Sequence, residues 1–181
     1  MLSLPDRVAS PLSLNSLRED LQVAHKTVQR WIAALERLYA IFLLPPFGSP
    51  KLRAVKKEQK HYHWDWSLVP EPGPRFENMV ASHLLKWVHF QRDSEGRDLE
   101  LRYFRDVTGR EVDFIVTERR RPILAVEAKL SDEPVAAALQ YFCTRHPGVP
   151  AFQVSLRGKR DATHALGIRS MPFARWAKTL V

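Results

Sequence analysis

Between Leu99 and Leu130 the chain is patterned as extended backbone that must reverse direction twice, and this constrains the fold more than any other feature. Leu99 to Arg105 and Glu111 to Thr117 alternate apolar and polar side chains on either side of Asp106-Val107-Thr108-Gly109-Arg110, so they read as a β-hairpin. A third strand, Ile123 to Leu130, follows the charged turn Glu118-Arg119-Arg120-Arg121-Pro122. Side chains alternate between the faces of a strand, so Glu127 and Lys129 point one way while Leu124, Val126, Ala128 and Leu130 take the buried side. On the preceding strand Val112, Phe114 and Val116 form one face and Asp113 belongs to the other. Pairing these strands gathers two carboxylates and one ammonium on one side of a sheet.

Helical segments flank the strands. Phe76, Met79, Val80, Leu84, Trp87 and Val88 recur at helical spacing, which predicts a helix from Phe76 to Phe90. Glu77 would then lie in its first turn, where a carboxylate suits the helix dipole, so Glu77 has a capping explanation as well as a chemical one. A second helix is expected from Glu133 to Thr144, with Pro134 in its first turn. A strand from Ala151 to Leu156 follows Pro147-Gly148, and a short helix from Pro172 to Leu180 closes the chain.

Upstream, Val69-Pro70-Glu71-Pro72-Gly73-Pro74 breaks the pattern and divides residues 1–72 from residues 73–181. In the first part, Leu14, Leu17 and Leu21, then Val28, Trp31, Ile32, Leu35 and Leu38, predict two amphipathic helices with a tight corner at Gln22-Val23-Ala24-His25. Ile41 to Leu44 is β-prone, and the run KLRAVKKEQKHYH from Lys51 to His63 carries five Lys or Arg. Read as a basic hairpin, that run completes the order of parts in a winged-helix domain, whose second helix enters the major groove. Lys26, Thr27, Gln29 and Arg30 would face DNA, and Lys56, Lys57 and Lys60 would touch phosphates from the wing. The polar side of any amphipathic helix looks the same, however, and winged-helix folds also serve protein contacts. His61 and His63 share a strand face but have no third ligand at a metal-binding spacing, so they too are expected on an exposed wing. Trp64 and Trp66 read as pins to the core, with base stacking as the alternative.

Charge sharpens the question of partner. The chain has 28 Lys plus Arg against 20 Asp plus Glu, a net +8, and both halves are basic. The excess is explained either by a polyanionic partner or by solubility. A single cysteine, Cys143, excludes an intramolecular disulfide and a cysteine-based zinc cluster, and points to a reducing, cytoplasmic setting. The longest uncharged stretch, Leu38 to Pro50, contains three prolines and is too short to span a membrane, and Met1 to Ser10 lacks a signal-peptide core.

The acidic constellation has a chemistry of its own. Carboxylates held together repel unless they share a proton or a cation, and oxygen-only ligation selects a hard ion such as Mg2+ or Mn2+. Such an ion can offset phosphate charge and acidify its water, with Lys129 placed to stabilise developing charge or to position that water. The plain alternative is an exposed Glu127–Lys129 pair worth little.

Asp113, thirteen residues, then Glu127-Ala128-Lys129 resembles the D-x(n)-(D/E)-x-K signature of the PD-(D/E)xK nuclease-like superfamily, and Glu77 resembles its helix-borne acid. More closely, FENMVASHLL, YFRDVTGREVDFIV and ILAVEAKLSD are similar to a prokaryotic domain of unknown function at the C-terminal end of a family of AAA-type ATPases, which also place a winged-helix-like segment before it. The resemblance covers nearly the whole chain. It implies an α/β fold: a small winged-helix-like N-terminal part, then a restriction-endonuclease-like mixed sheet flanked by helices. It also implies a metal site at Asp113 and Glu127, with the Ala128 carbonyl as a further ligand, Lys129 as catalytic partner, and Gln140 as the motif-associated polar residue. Glu77 would complete the pocket or bind a second metal. Two departures stand out: Val112 replaces the nominal proline, and no G-x-x-x-x-G-K-[ST] phosphate loop occurs, so ATP hydrolysis by that route is excluded.

Three readings follow. The first is a metal-dependent phosphodiesterase acting on DNA, with Arg157, Lys159 and Arg160 adding phosphate contacts. The second is a non-catalytic module that binds DNA or docks a separate ATPase. The third is a transcriptional regulator.

Overall fold

The structure, a computed structural model, describes residues 4–48 and 59–180. Two amphipathic helices come first. In α1 (Leu14–Leu21) the Ser13 hydroxyl accepts the Ser16 N–H at the N-cap, and α2 (His25–Arg37) follows a corner where Gln22 takes a left-handed conformation. Leu17, Val28 and Ile32 bury their apolar stripe with Leu4, Leu12 and Ile41 in a small core of their own.

Strand β1 (Ile41–Leu44) pairs antiparallel with β2 (Lys60–His63). Here the structure departs from the expected exposed wing, because all four residues of β2 are buried. Several of its polar groups find partners on the two faces, although His61 Nδ1 and His63 Nε2 are buried without one. Lys60 and Tyr62 reach Glu77 on one face, and His61 Nε2 lies 2.8 Å from the Leu4 carbonyl on the other. The Asn78 carboxamide bridges the His63 backbone, accepting its N–H at 2.8 Å and donating to its carbonyl at 2.7 Å. Lys60, His61 and His63 are therefore not surface groups. Lys56 and Lys57 lie outside the described residues. Trp64 packs edge-on against Phe42 at the core margin, while Trp66 stays exposed.

Helix α3 (Pro72–Glu95) begins four residues before the apolar periodicity does. Pro72 and Pro74 occupy its first turn, where no backbone N–H is needed, and the break read as a linker is thus a helix start. Glu77 consequently sits in the second turn, which removes the capping explanation.

Six strands form one sheet in the order β3-β4-β5-β6-β8-β7: β3 (Leu99–Arg105), β4 (Glu111–Glu118), β5 (Arg121–Lys129), β6 (Ala151–Ser155), β7 (Ala162–Thr163) and β8 (Arg169–Pro172). β3, β4 and β5 are antiparallel neighbours, whereas β6 runs parallel to β5 after the crossover helix α4 (Ala137–Arg145). Helix α4 starts later than the expected Glu133, because the buried Gln153 side chain accepts the Ala136 N–H and donates to the carbonyls of Glu133 and Pro134. β7 and β8 were not foreseen, and the expected tail helix is the short α5 (Phe173–Trp176) followed by a 3-10 turn.

The sheet is covered on both faces. Val80, Leu84 and Val88 of α3 share a core with Leu99, Val116 and Val126, and Leu139, Phe142 and Cys143 of α4 share another with Val112, Ile115 and Ala125. Val8, Phe42, Leu44 and Tyr62 belong to the α3 core, so the first part of the chain is packed into the second. The outer edge of β3 is closed by Pro45 to Phe47, where the Tyr103 carbonyl accepts the Phe47 N–H and the Tyr103 N–H donates to Pro45. The result is a mixed α/β protein with helices on either side of a mixed sheet. No helix among the described residues is long and apolar enough to cross a membrane.

Candidate active site

Asp113 owes its position to an irregularity in β4. Arg102 pairs with Ile115 and Phe104 with Val112, so the two residues Asp113 and Phe114 oppose the single residue Tyr103. Such a bulge re-aims side chains. It also breaks the simple alternation expected here, since Val112 joins the core under α4 while Phe114 and Val116 join the core under α3.

On its other side β4 pairs with β5 up to Phe114 and Val126, and beyond that point side chains take over from the backbone ladder. Asp113 Oδ2 accepts the Ala128 N–H at 2.9 Å, and Glu127 Oε2 accepts the Asp113 N–H at 3.4 Å. Each carboxylate thus spends one oxygen on the opposite strand, which fixes the pair side by side. Lys129 Nζ stands 2.9 Å from Glu127 Oε1, so the expected trio of Asp113, Glu127 and Lys129 does come together.

Four further residues join them. Lys60 Nζ lies 2.6 Å from Glu111 Oε1, 3.1 Å from Glu77 Oε1 and 3.9 Å from Asp113 Oδ1, with its side chain 0% exposed. The buried Tyr62 hydroxyl donates to Glu77 Oε1 at 2.7 Å. Glu111 also faces Arg105 at the solvent rim, 3.6 Å away. Helix α3, strand β2 and strands β4 and β5 therefore supply four carboxylates and two ammonium groups to one cluster.

Crowding of acids in a buried place shows in their protonation. Burial, then the Asp113 charge, pushes Glu127 up to about 8 despite Lys129 beside it. Burial and Asp113 likewise raise Glu77 to about 7 against the pull of Lys60 and Tyr62, and burial raises Asp113 itself. For Lys60 burial disfavours the charge, but Glu77, Asp113 and Glu111 outweigh it and hold the ammonium protonated. Burial opposes the Lys129 charge as well, and Glu127 and Asp113 more than offset it.

This donor set suits a hard cation. Its oxygens are all carboxylate oxygens, and burial together with the neighbouring Asp113 raises Glu77 and Glu127, a repulsion that a bound cation would relieve. Among the described residues no group of three or more His, Cys, Asp or Glu converges as a metal-holding set. Two carboxylates suffice for magnesium, which usually keeps several waters and substrate phosphate oxygens in its shell. Asp113 and Glu127 are the residues that would hold it.

The remaining sequence candidates are dispersed. Gln140 is exposed on α4 and donates its amide to the Val135 carbonyl, whereas the buried amide beside Glu127 is Gln153, its register partner on β6. Gln153 was missed because one glutamine in a strand carries no motif; its pairing with a motif strand was the only available signal. Lys26, Gln29 and Arg30 are exposed on α2, and Thr27 is half-buried. Lys60, expected to touch phosphates, is instead enclosed by acids, and Glu111 joins it from the hairpin.

Arg157, Lys159 and Arg160 are exposed on the loop after β6. That loop is tied to the end of β5, with Leu156 and Arg157 N–H groups donating to the Lys129 and Leu130 carbonyls. The Asp132 carboxylate accepts the N–H groups of Lys159 and Arg160. Gly158 lies tight against Asp132 and Ser155, and a Cβ there would force their side chains to shift.

Residues 1–71 match a family described as Domain of unknown function (DUF8612), and residues 72–173 match one described as Domain of unknown function (DUF4143). Among curated proteins and among solved structures, nothing matches the chain. The acidic cluster straddles the two matched segments, with Lys60 and Tyr62 in the first and all four carboxylates in the second. The second segment spans more than half of the chain and holds Asp113, Glu127 and Lys129, and on that match the protein belongs to the family described as Domain of unknown function (DUF4143).

Proposed function

We propose that this protein is a metal-dependent phosphodiesterase of the PD-(D/E)xK nuclease-like kind that acts on DNA, related to the C-terminal region of an AAA-type ATPase. One observation carries the reading: Asp113 and Glu127 are locked side by side by reciprocal bonds to each other's strands, with Lys129 on Glu127. A mixed sheet between helical layers agrees with the fold that the resemblance implies.

Asp113 and Glu127 would hold Mg2+ or Mn2+, which when bound offsets phosphate charge and acidifies its water. Lys129 is half-buried and tethered, so it can orient a water or stabilise charge on the phosphate without first paying to be ordered. The Arg157, Lys159 and Arg160 loop rises from the same end of β5 and gives the DNA backbone a basic rest next to the acids. An acidic cluster beside a basic loop is the charge arrangement that such a reaction needs. Binding through those side chains should weaken steeply with salt.

Incubation of supercoiled, linear and single-stranded DNA with the protein and Mg2+ or Mn2+ tests the proposal. Cleavage that needs the metal and slows by about 100-fold or more in Lys129→Ala is expected. Absence of cleavage on every DNA form, with Lys129→Ala indistinguishable from wild type, would contradict it.

A second reading, a non-catalytic module that binds DNA or docks an ATPase partner, is favoured by one feature: Lys60 and Lys129 already pair with the acids. It predicts DNA or ATPase binding that survives Asp113→Ala and Glu127→Ala and needs no divalent metal.

A further inference from the structure

The ammonium of Lys60 is surrounded by acids from two elements: Glu77 from α3, and Glu111 and Asp113 from β4. It has no exposed surface, and the Tyr103 ring lies on another side with its centroid 5.6 Å away. Tyr62, two residues along the same strand face, donates to the same Glu77 oxygen that Lys60 contacts. The ammonium is therefore held by the fold, where a flexible surface lysine would swing away.

We infer that Lys60 is a built-in counter-ion that fills one cation position of the acidic cluster, so that the site takes a single divalent ion, at Asp113 and Glu127. This inference rests on the metal-dependent reading above and decides a point that the reading leaves open, namely whether Glu77 serves a second metal. Charge disfavours two ions. Glu77, Glu111, Asp113 and Glu127 carry four negative charges when ionised, Lys60, Lys129 and the rim Arg105 return three, and what remains is too little to hold two divalent cations. Geometry supports the place of the single ion. Glu77 and Glu111 direct an oxygen at Lys60, whereas Asp113 Oδ1 is 3.9 Å from it, beyond hydrogen-bonding distance. A second metal between Glu77 and Asp113 would have to displace an ammonium that has no exposed surface, stripping a buried charge of its partners. The residue that sets the metal count thus comes from the N-terminal part of the chain, on β2.

Titration of the full chain with Mn2+, followed by calorimetry and by the electron-spin signal of free Mn2+, measures the count without reference to cleavage. Wild type is expected to bind one Mn2+, Asp113→Asn none, and Glu77→Gln still one. Lys60→Met, which removes the charge and keeps the length, is expected to bind two. Two Mn2+ in the wild type, loss of Mn2+ binding in Glu77→Gln, or a count of one in folded Lys60→Met would overturn the inference and leave the metal-dependent reading standing. No Mn2+ binding to wild type would overturn that reading together with the inference. Should Lys60→Met fail to fold, as judged by circular dichroism, the wild-type count and Glu77→Gln still decide.

Discussion

A lysine with no exposed surface is the most informative single residue in this protein. In the sequence, Lys60 closes a run of basic residues and reads as a solvated wing contact; in the fold it is the cation around which three acids assemble. Its partners lie 17, 51 and 53 positions away, and no local pattern announces a pairing over such separations. Asp113, Glu127 and Lys129 were legible for the opposite reason, since two of them share a strand face at a spacing of two and all three fall on a known motif.

The acids also set how stability depends on pH. Glu77 and Glu127 have folded values of about 7 and about 8, above the roughly 4.3 of an unfolded glutamate. A raised carboxyl contributes stability that is complete below its unfolded value and is lost as pH rises through the folded one. His61 acts in the opposite direction: burial depresses it to about 4, so stability is lost as pH falls below about 6.5. Two raised glutamates outweigh one depressed histidine, so metal-free protein should melt at progressively lower temperature from about pH 6.5 to about pH 8, by which point the contribution of Glu77 and Glu127 is lost. On the proposed function Mn2+ would take the place of those protons, so its presence should flatten that decline. Thermal melts at several pH values check both expectations, and a melting temperature that climbs from about pH 6.5 to about pH 8 without metal would contradict them.

Among elements, alternation located the central strands to within two residues but concealed what makes them a site. The Asp113–Phe114 bulge depends on pairing with β3, and strand pairing is a property of two segments. The start of α4 was displaced for a similar reason, because Gln153 from β6 satisfies the backbone that would otherwise wind into a first turn. The basic loop after β6 is a comparable device: Asp132 gathers two of its N–H groups, and a side chain at position 158 would push that carboxylate aside. Gly158→Ala is expected to destabilise the protein by about 1–3 kcal/mol through overpacking. It should also weaken DNA binding, since Lys159 and Arg160 would lose their fixed course. Urea unfolding and a DNA titration at fixed salt read the two effects, and a variant unchanged in both would show that the loop is not held in this way.

At the scale of the whole molecule, two separately recognisable segments make one body. The sequence break at Val69 to Pro74 suggests independent halves, and the family matches also meet there, between residues 71 and 72. Yet Val8, Phe42, Leu44 and Tyr62 are buried in the core that α3 shares with the sheet, and Lys60 completes the acidic cluster. Composition cannot show this, because both halves are basic and each carries its own apolar pattern. The full chain should accordingly unfold in one cooperative transition, seen as coincident denaturation curves from tryptophan fluorescence and far-ultraviolet dichroism. Two resolved transitions would mean that the halves fold apart and that Lys60 is not bound to the fate of the sheet.

The net charge of +8 now has a local structure. A cluster of four carboxylates and the exposed Arg157, Lys159 and Arg160 lie at the same end of β5, and on the proposed function the first would hold the cation and the second the polyanion. The most direct test of that account is a crystal grown with Mn2+ and measured at a wavelength where manganese scatters anomalously. The account predicts one anomalous peak, bound by Asp113 and Glu127, with Lys60 still on Glu77 and Glu111. An acidic cluster without a peak at saturating Mn2+, its lysines and carboxylates paired as in the metal-free protein, would contradict it.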